Sequence, residues 1–142
     1  MGFLTFFAKL HPMLVHFPVG LLTSGVVFEI YGALRNDEVV ESAGRFNIRF
    51  GFWSLFPVLL VGFLGMISLE NTDKFRDFLS SHLKVALVTA GVFISAIIVA
   101  RYLSKPWGRA LYFLIIALGG VCVLITGYFG GELVHRFGVS TH

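Results

Sequence analysis

The stretch LYFLIIALGGVCVLITGYFGGELV, residues 111–134, carries a single charged side chain, that of Glu132 near its end. At about 1.5 Å per residue, an α-helix of this length crosses the roughly 30 Å hydrocarbon core of a bilayer. Three further stretches have a similar length and apolar character, namely residues 12–34, 50–69 and 83–103. The sequence therefore predicts an all-α integral membrane protein, a four-helix bundle made of two tandem helical hairpins.

The composition excludes several other classes of protein. The chain of 142 residues is 56% hydrophobic and 13% charged, with a mean hydropathy of +0.85, which is far too apolar for a soluble globular domain. Four spans leave only short loops, so we expect one domain over residues 1–142 and no catalytic module. No Walker loop, dinucleotide fingerprint or nucleophile elbow is present in the sequence. The net charge of +3 is too small and dispersed to indicate nucleic-acid binding.

The segments between the spans predict how the helices connect. Residues 35–49 are rich in polar side chains and are predicted to form a loop between the first two spans. Asn71 or Thr72 is expected to cap a helix that runs directly into the third span and carries His82 with it. Residues 104–109 are expected to form a tight turn. An even number of spans places both termini on one side of the membrane. We expect that side to be the periplasmic one.

All the histidines fall on that terminal side of the predicted bundle. They are His11, His16, His82, His135 and His142. Ionisable groups within membrane spans are costly and usually mark ligand, cofactor or proton sites. Histidines are also common at membrane interfaces without any such role, and His142 is expected to be one of these.

Two histidines occur in the same local pattern. Each is followed by a small residue four positions later and by a threonine seven positions later; the residues are His16, Gly20 and Thr23, and His82, Ala86 and Thr89. These offsets place each set on one helical face. The two hairpins also end in equivalent acidic residues, Glu70 and Glu132, so the chain resembles a degenerate tandem repeat.

This pattern suits a haem b site. Two histidines on diagonal helices of a bundle can supply both axial ligands of one haem iron. His16 and His82 are the predicted ligands, and Gly20 and Ala86 leave room for the macrocycle. His11 and His135 are then groups beside the haem or ligands of a second haem.

A cofactor-free interpretation remains open from the residues alone. Stripes of small residues also serve plain helix packing in lipid, and Gly120, Gly127 and Gly131 are expected to form such a seam. On this interpretation the protein is an accessory subunit that packs against a larger membrane complex. A discrete metal site is less well supported, because the Glu-x-x-His spacing of di-metal bundles occurs once, at Glu132 and His135.

Two further residues within the spans have simple interpretations. Glu29 is expected to pair with Arg35, Arg49 or Arg101, because a carboxylate inside a span needs a partner. Cys122 lies among Val and Leu and is expected to be a small core residue without a redox role.

The chain resembles a known family in two motifs. Residues 11–22, HPMLVHFPVGLL, are very similar to the HP-x-x-VHFP-[IV]-x-LL signature of bacterial four-span membrane proteins. Residues 127–134, GYFGGELV, followed by Gly138 and Val139, resemble the same family's tail. The family is catalogued chiefly as predicted membrane proteins of unknown function. Its tail often reads Tyr-x-His before the Gly-Val pair, whereas His135 here precedes Arg136 and Phe137.

The resemblance implies a location and a type of activity. Members resemble b-type haem bundles in layout, and some are fused to cytochrome-like modules. This implies a non-catalytic haem b subunit in the bacterial inner membrane that passes electrons within a respiratory or photosynthetic complex. The implied partners are lipid, other membrane subunits and a c-type cytochrome or quinone.

Overall fold

The computed structural model describes residues 3–67 and 72–137, and these residues form four long α-helices. The helices are α1 (Phe3–Arg35), α2 (Glu38–Met66), α3 (Asp73–Val99) and α4 (Pro106–Phe137). A short 3₁₀ turn, Ala100–Tyr102, extends α3, and the described residues contain no β-strand. All four helices are long and apolar enough to cross a membrane, which confirms the predicted four-helix membrane bundle.

The helices pack as two hairpins. Helix α1 packs mainly against α2, and α3 mainly against α4, while smaller contacts join α1 to α4 and α2 to α3. Helices α1 and α3 are therefore diagonal to each other. We call the end that holds the start of α1 and the end of α4 the terminal end, and the end that holds the α1–α2 and α3–α4 turns the turn end.

The first turn is much tighter than predicted. Helix α1 ends with Asn36 at a φ of 54°, a left-handed conformation that Asn tolerates. The Asp37 N–H then donates to the Gly32 carbonyl at 2.8 Å, and the Asp37 side chain accepts from the N–H groups of Val39 and Val40 at 3.1 Å. The prediction of a polar loop over residues 35–49 is therefore wrong. Most of its polar residues belong to α2, where several pair with residues of other helices.

The other predicted connections agree with the structure. Thr72 caps α3 by accepting from the Phe75 N–H at 3.4 Å, and the helix continues without a break into the third span. The Lys105 N–H donates to the Tyr102 carbonyl at 2.9 Å, and Pro106 opens α4, where its missing N–H costs nothing. Both the capped continuous helix and the tight turn are confirmed.

Glycines allow α1 and α2 to touch along their length. A Cβ added at Gly44 would lie 2.6 Å from the Glu29 nitrogen, and one added at Gly65 would lie 2.8 Å from the Ala8 Cα. Small residues permit this close approach of backbones, on which helix association in lipid depends. On α1, a Cβ added at Gly32 would lie 2.6 Å from the Glu41 nitrogen, so glycines on both helices encode the close contact of the first hairpin.

Helix α4 uses different glycines from those predicted. Gly127 and Gly131 have nothing within 4 Å of an added Cβ in the described structure. The close contacts are instead made by Gly119, against the Phe93 ring, and by Gly130, against the His82 ring. Gly120 does pack against α1, since an added Cβ would lie 3.4 Å from the Val26 Cγ1. The expected seam of Gly120, Gly127 and Gly131 is therefore found only at Gly120, because α4 presents the adjacent face to α3.

The buried apolar core separates the two ends of the bundle. Its members are Leu22, Val26, Ile48, Phe52, Phe93, Ala96, Tyr112, Ile116 and Val123. Among the described residues, inward-facing histidines lie at the terminal end of this core, and a charged cluster lies at the turn end.

Candidate functional site

The inward face of α1 contains His11 and not His16. Glu29 is fully buried on this face, and His11 precedes it by 18 residues, which is five turns at about 3.6 residues per turn. His16 is five residues from His11, about 140° around the helix. It is exposed, and its Nδ1 lies 2.7 Å from the Pro12 carbonyl of its own helix. His11 is therefore the histidine that α1 directs into the bundle.

Helix α2 fixes the orientation of the His11 ring. The His11 Nδ1 lies 3.0 Å from the Val58 carbonyl oxygen. A carbonyl can only accept, so Nδ1 must carry the proton and donate it. The Nε2 atom of the neutral ring then keeps its lone pair. Gly62 makes room for this ring, because a Cβ at Gly62 would lie 2.7 Å from the His11 Cε1.

His82 faces the same region from α3. A Cβ at Gly130 would lie 3.3 Å from the His82 Cε1, so α4 also leaves space for an imidazole. The His82 Nδ1 is buried and forms no hydrogen bond of good geometry in the described part of the chain, although the Thr126 backbone is near enough to the ring to interact with it. A buried polar atom of this kind is uncommon in native structures and requires an explanation.

The two inward imidazoles face the same region of the bundle. The His11 and His82 rings are near enough for an electrostatic interaction, although α1 and α3 are diagonal. His11 is the ninth residue of α1 and His82 the tenth of α3, so helices that run in the same direction bring them to nearly the same depth. This arrangement offers two imidazoles from opposite sides of the bundle axis.

Among the remaining predicted site residues, His16, Gly20 and His135 lie apart from this pair, and Ala86 lies next to it. His16 and Gly20 are on the exposed face of α1, and His135 is exposed on α4. Ala86 is partly buried on α3, about one turn beyond His82. The expected juxtaposition of His16 with His82 is therefore not found, because a stripe of small residues on α1 faces outward.

The acidic residue at the end of α4 pairs locally. Glu132 forms an ion pair with Arg136, one turn along the same helix, and the Arg136 guanidinium lies 5.5 Å from the centre of the Phe78 ring. Glu70 and His142, which also entered the predictions, lie outside the described residues.

Two threonines tie α3 to α4 two turns from His82. The hydroxyl oxygens of Thr89 and Thr126 are 2.9 Å apart. Each hydroxyl also lies 2.8 Å from a carbonyl oxygen of its own helix, those of Val85 and Cys122 respectively. This contact holds the face that carries His82 against α4.

A charged cluster at the turn end was missed by the sequence analysis. The Tyr112 hydroxyl donates to the Glu29 Oε1 at 2.7 Å, and the Arg45 Nη1 donates to the Glu29 Oε2 at 3.3 Å. Arg45 also lies 3.4 Å from Glu41, whose other oxygen accepts from the Arg109 Nη2 at 3.0 Å. The cluster therefore joins α1, α2 and α4 by charge-assisted hydrogen bonds.

The partner of Glu29 differs from the prediction for a definable reason. Arg35, Arg49 and Arg101 were expected, but Arg45 is the cation that pairs with it. Arg45 lies two turns inside α2 and faces α1, a position that a loop over residues 35–49 would not give it. Because each carboxylate of the cluster is paired, we interpret the cluster as a clamp between the hairpins and not as a ligand site.

A discrete metal site is not supported within the described residues. They contain no group of three or more His, Cys, Asp or Glu side chains placed to hold an ion. The Glu132–His135 pair therefore gains no further ligand from the described chain. A site that needs only two imidazoles, such as a haem, is unaffected by this finding.

Comparison with known proteins agrees with the resemblance carried by residues 11–22. No curated protein and no solved structure matches the chain. Residues 8–142 match the family described as "Predicted membrane protein (DUF2231)". The match covers nearly the whole chain, and all four helices of the bundle fall within it or overlap it. The chain therefore belongs to the DUF2231 family of predicted membrane proteins.

Proposed function

We propose that this protein is a membrane electron-transfer subunit that binds one haem b between His11 of α1 and His82 of α3. The observation that carries the proposal is the pair of inward imidazoles on diagonal helices at nearly the same depth. Bis-histidine ligation needs ligands from two helices that face each other across the bundle axis. His11 and His82 meet this requirement, and the exposed His16 does not.

The residues around the pair suit haem ligation. Metal-bound histidines usually donate their other ring N–H to a backbone carbonyl, which is the bond that His11 Nδ1 makes with Val58. The buried Nδ1 of His82 forms no hydrogen bond of good geometry within the described residues, so it is a second nitrogen open to a ligand. Gly62 and Gly130 keep side chains away from the two rings.

Such a site favours electron transfer over catalysis. When bound, haem b supplies a one-electron redox centre, and two histidine ligands leave its iron no open position for a substrate. The chain contributes orientation through Val58 and exclusion of water through the apolar core beyond the site. Redox partners, either a c-type cytochrome or a quinone, would approach the terminal end, which we place on the periplasmic side of a bacterial inner membrane.

Absorption spectra of the detergent-purified protein, made in haem-supplied cells, test this proposal. We expect the reduced wild type to show the split α and β bands of low-spin haem. His11→Ala and His82→Ala should each lose haem or become high-spin, since each removes one axial ligand. His16→Ala is the matched control on the same helix and should leave the spectrum unchanged.

Circular dichroism and size-exclusion elution should show that all three variants remain folded. Wild-type protein without haem, or unaltered low-spin spectra in both His11→Ala and His82→Ala, would refute the proposal. A haem-free wild type would favour the cofactor-free accessory subunit.

A further inference from the structure

An open groove of about 380 Å³ lies on the outer side of α3, near the terminal end. It is lined by Arg76, Leu79, Ser80, Leu83, Lys84 and Leu87. The stripe of α3 that packs into the bundle, with Phe75 and Thr89 buried, occupies a different side of the helix. The groove is therefore separate from the histidine pair and from the contacts that hold the bundle together.

The floor of the groove is apolar and continuous. Leu79, Leu83 and Leu87 follow one another at intervals of four residues, so their side chains lie one above the other along the helix. This strip runs from the first turns of α3 toward the middle of the span. It can contact a single hydrocarbon chain along its length.

The upper part of the groove is cationic. Arg76 and Lys84 form no ion pair with any described acidic residue, although the described residues contain four other ion pairs. Ser80 lies one turn from each of them and adds a hydroxyl donor. As far as the described residues go, the two positive charges are therefore available to bind an anion.

The direction of the side chains brings these groups together. Side chains on a helix lean toward the N-terminus of that helix. The N-terminus of α3 lies at the terminal end of the bundle. Lys84 lies about two turns deeper than Arg76, and a lysine in such a position extends its ammonium group toward the headgroup region. Its charge thus extends up toward Ser80 and Arg76, while Leu83 and Leu87 remain deeper in the span.

We propose that this groove binds one anionic phospholipid of the surrounding bilayer. The phosphate would contact Arg76, Lys84 and Ser80, and one acyl chain would lie along Leu79, Leu83 and Leu87. The order of charge above and apolar strip below matches that of a phospholipid in the same leaflet. An acidic segment of a partner protein could pair with Arg76 and Lys84, but it would make no contact with the deeper leucines of the groove.

Native mass spectrometry of the purified protein tests this proposal. Dioleoylphosphatidylglycerol should bind more tightly than dioleoylphosphatidylcholine. Each basic residue near an anionic membrane surface adds to the attraction for anionic lipid. Arg76→Gln or Lys84→Gln should therefore weaken the binding of phosphatidylglycerol about five-fold, and the double variant should weaken it about 30-fold. Lys74→Gln is the matched control, because Lys74 is exposed in the first turn of α3 and points about 160° away from Arg76.

Three results would overturn the proposal. They are undiminished binding of phosphatidylglycerol by the double variant, equal binding of both lipids by the wild type, and displacement of the lipid by equimolar glycerol phosphate. The first two would remove the selectivity for anionic lipid, and the third would show that the leucine strip plays no part. Lipid binding measured by mass spectrometry does not depend on haem. The result of this experiment is therefore independent of the proposed electron transfer.

Discussion

Replacing Tyr112 by Phe removes one hydroxyl from the contact between the two hairpins. That hydroxyl donates to the Glu29 Oε1 at 2.7 Å, and Glu29 and Tyr112 are only 0% and 1% exposed. Hydrogen bonds to a charged group contribute about 1.5–3 kcal/mol to stability, whereas side-chain bonds between membrane helices reach at most about 1.7 kcal/mol. We therefore predict that Tyr112→Phe lowers the free energy of unfolding by about 1.5 kcal/mol, where the two ranges meet. Arg45 still pairs with Glu29, so the cluster should weaken without separating.

Reversible unfolding by SDS in mixed micelles, followed by tryptophan fluorescence, measures this effect. Tyr102→Phe is the control, because Tyr102 is 47% exposed and should change stability by no more than about 0.5 kcal/mol. In a double-mutant cycle with Glu29→Gln, the two costs should fall short of additivity, since both substitutions disrupt one bond. Equal effects of Tyr112→Phe and Tyr102→Phe would refute the assignment of Glu29 and Tyr112 as the clamp between the hairpins.

Two further predictions concern packing and topology. Gly44→Ala should destabilise the protein by about 1–3 kcal/mol, because the new Cβ would lie 2.6 Å from the Glu29 nitrogen and 2.8 Å from the Gly25 oxygen, and neither backbone can move without separating the helices. Gly91→Ala, with nothing within 4 Å, should be neutral or stabilising in the same unfolding assay, and equal losses for the two variants would contradict the close contact of α1 with α2. Reporter fusions to the two ends of the chain should report the same side of the membrane, and opposite sides would contradict the four-span topology.

The number of spans could be predicted from the sequence because the bilayer demands long apolar helices. The helix ends could not be predicted from the sequence. Polar residues at the turn end belong to a helix and are paired within the bundle, whereas in the sequence they resemble a loop. Glu41 and Arg45 sit in the first turns of α2 and contact Glu29 and Arg109, so a segment that resembles a solvated loop is helical. Periodicity alone does not reveal such pairing between distant residues.

The inward histidine of α1 could have been predicted from the position of Glu29. The local repeat around His16 favoured a different histidine. A charged residue within a span normally faces the bundle interior, so Glu29 marks the inward face of α1. Counting back five full turns from Glu29 leads to His11. The stripe of His16 and Gly20 matched the surroundings of His82 in sequence, but it lies on the exposed side. On α3, the matching stripe of small and hydroxyl residues does face the bundle, because Thr89 is buried against α4.

The midpoint potential of the His82→Met variant tests directly whether His11 and His82 hold the haem. Replacing one imidazole by a thioether keeps two axial ligands and raises the potential of a b-type haem. We predict that His82→Met and His11→Met each retain haem at a higher potential than the wild type, while His16→Met keeps the wild-type value. An unchanged potential in His82→Met, or a raised potential in His16→Met, would contradict the claim.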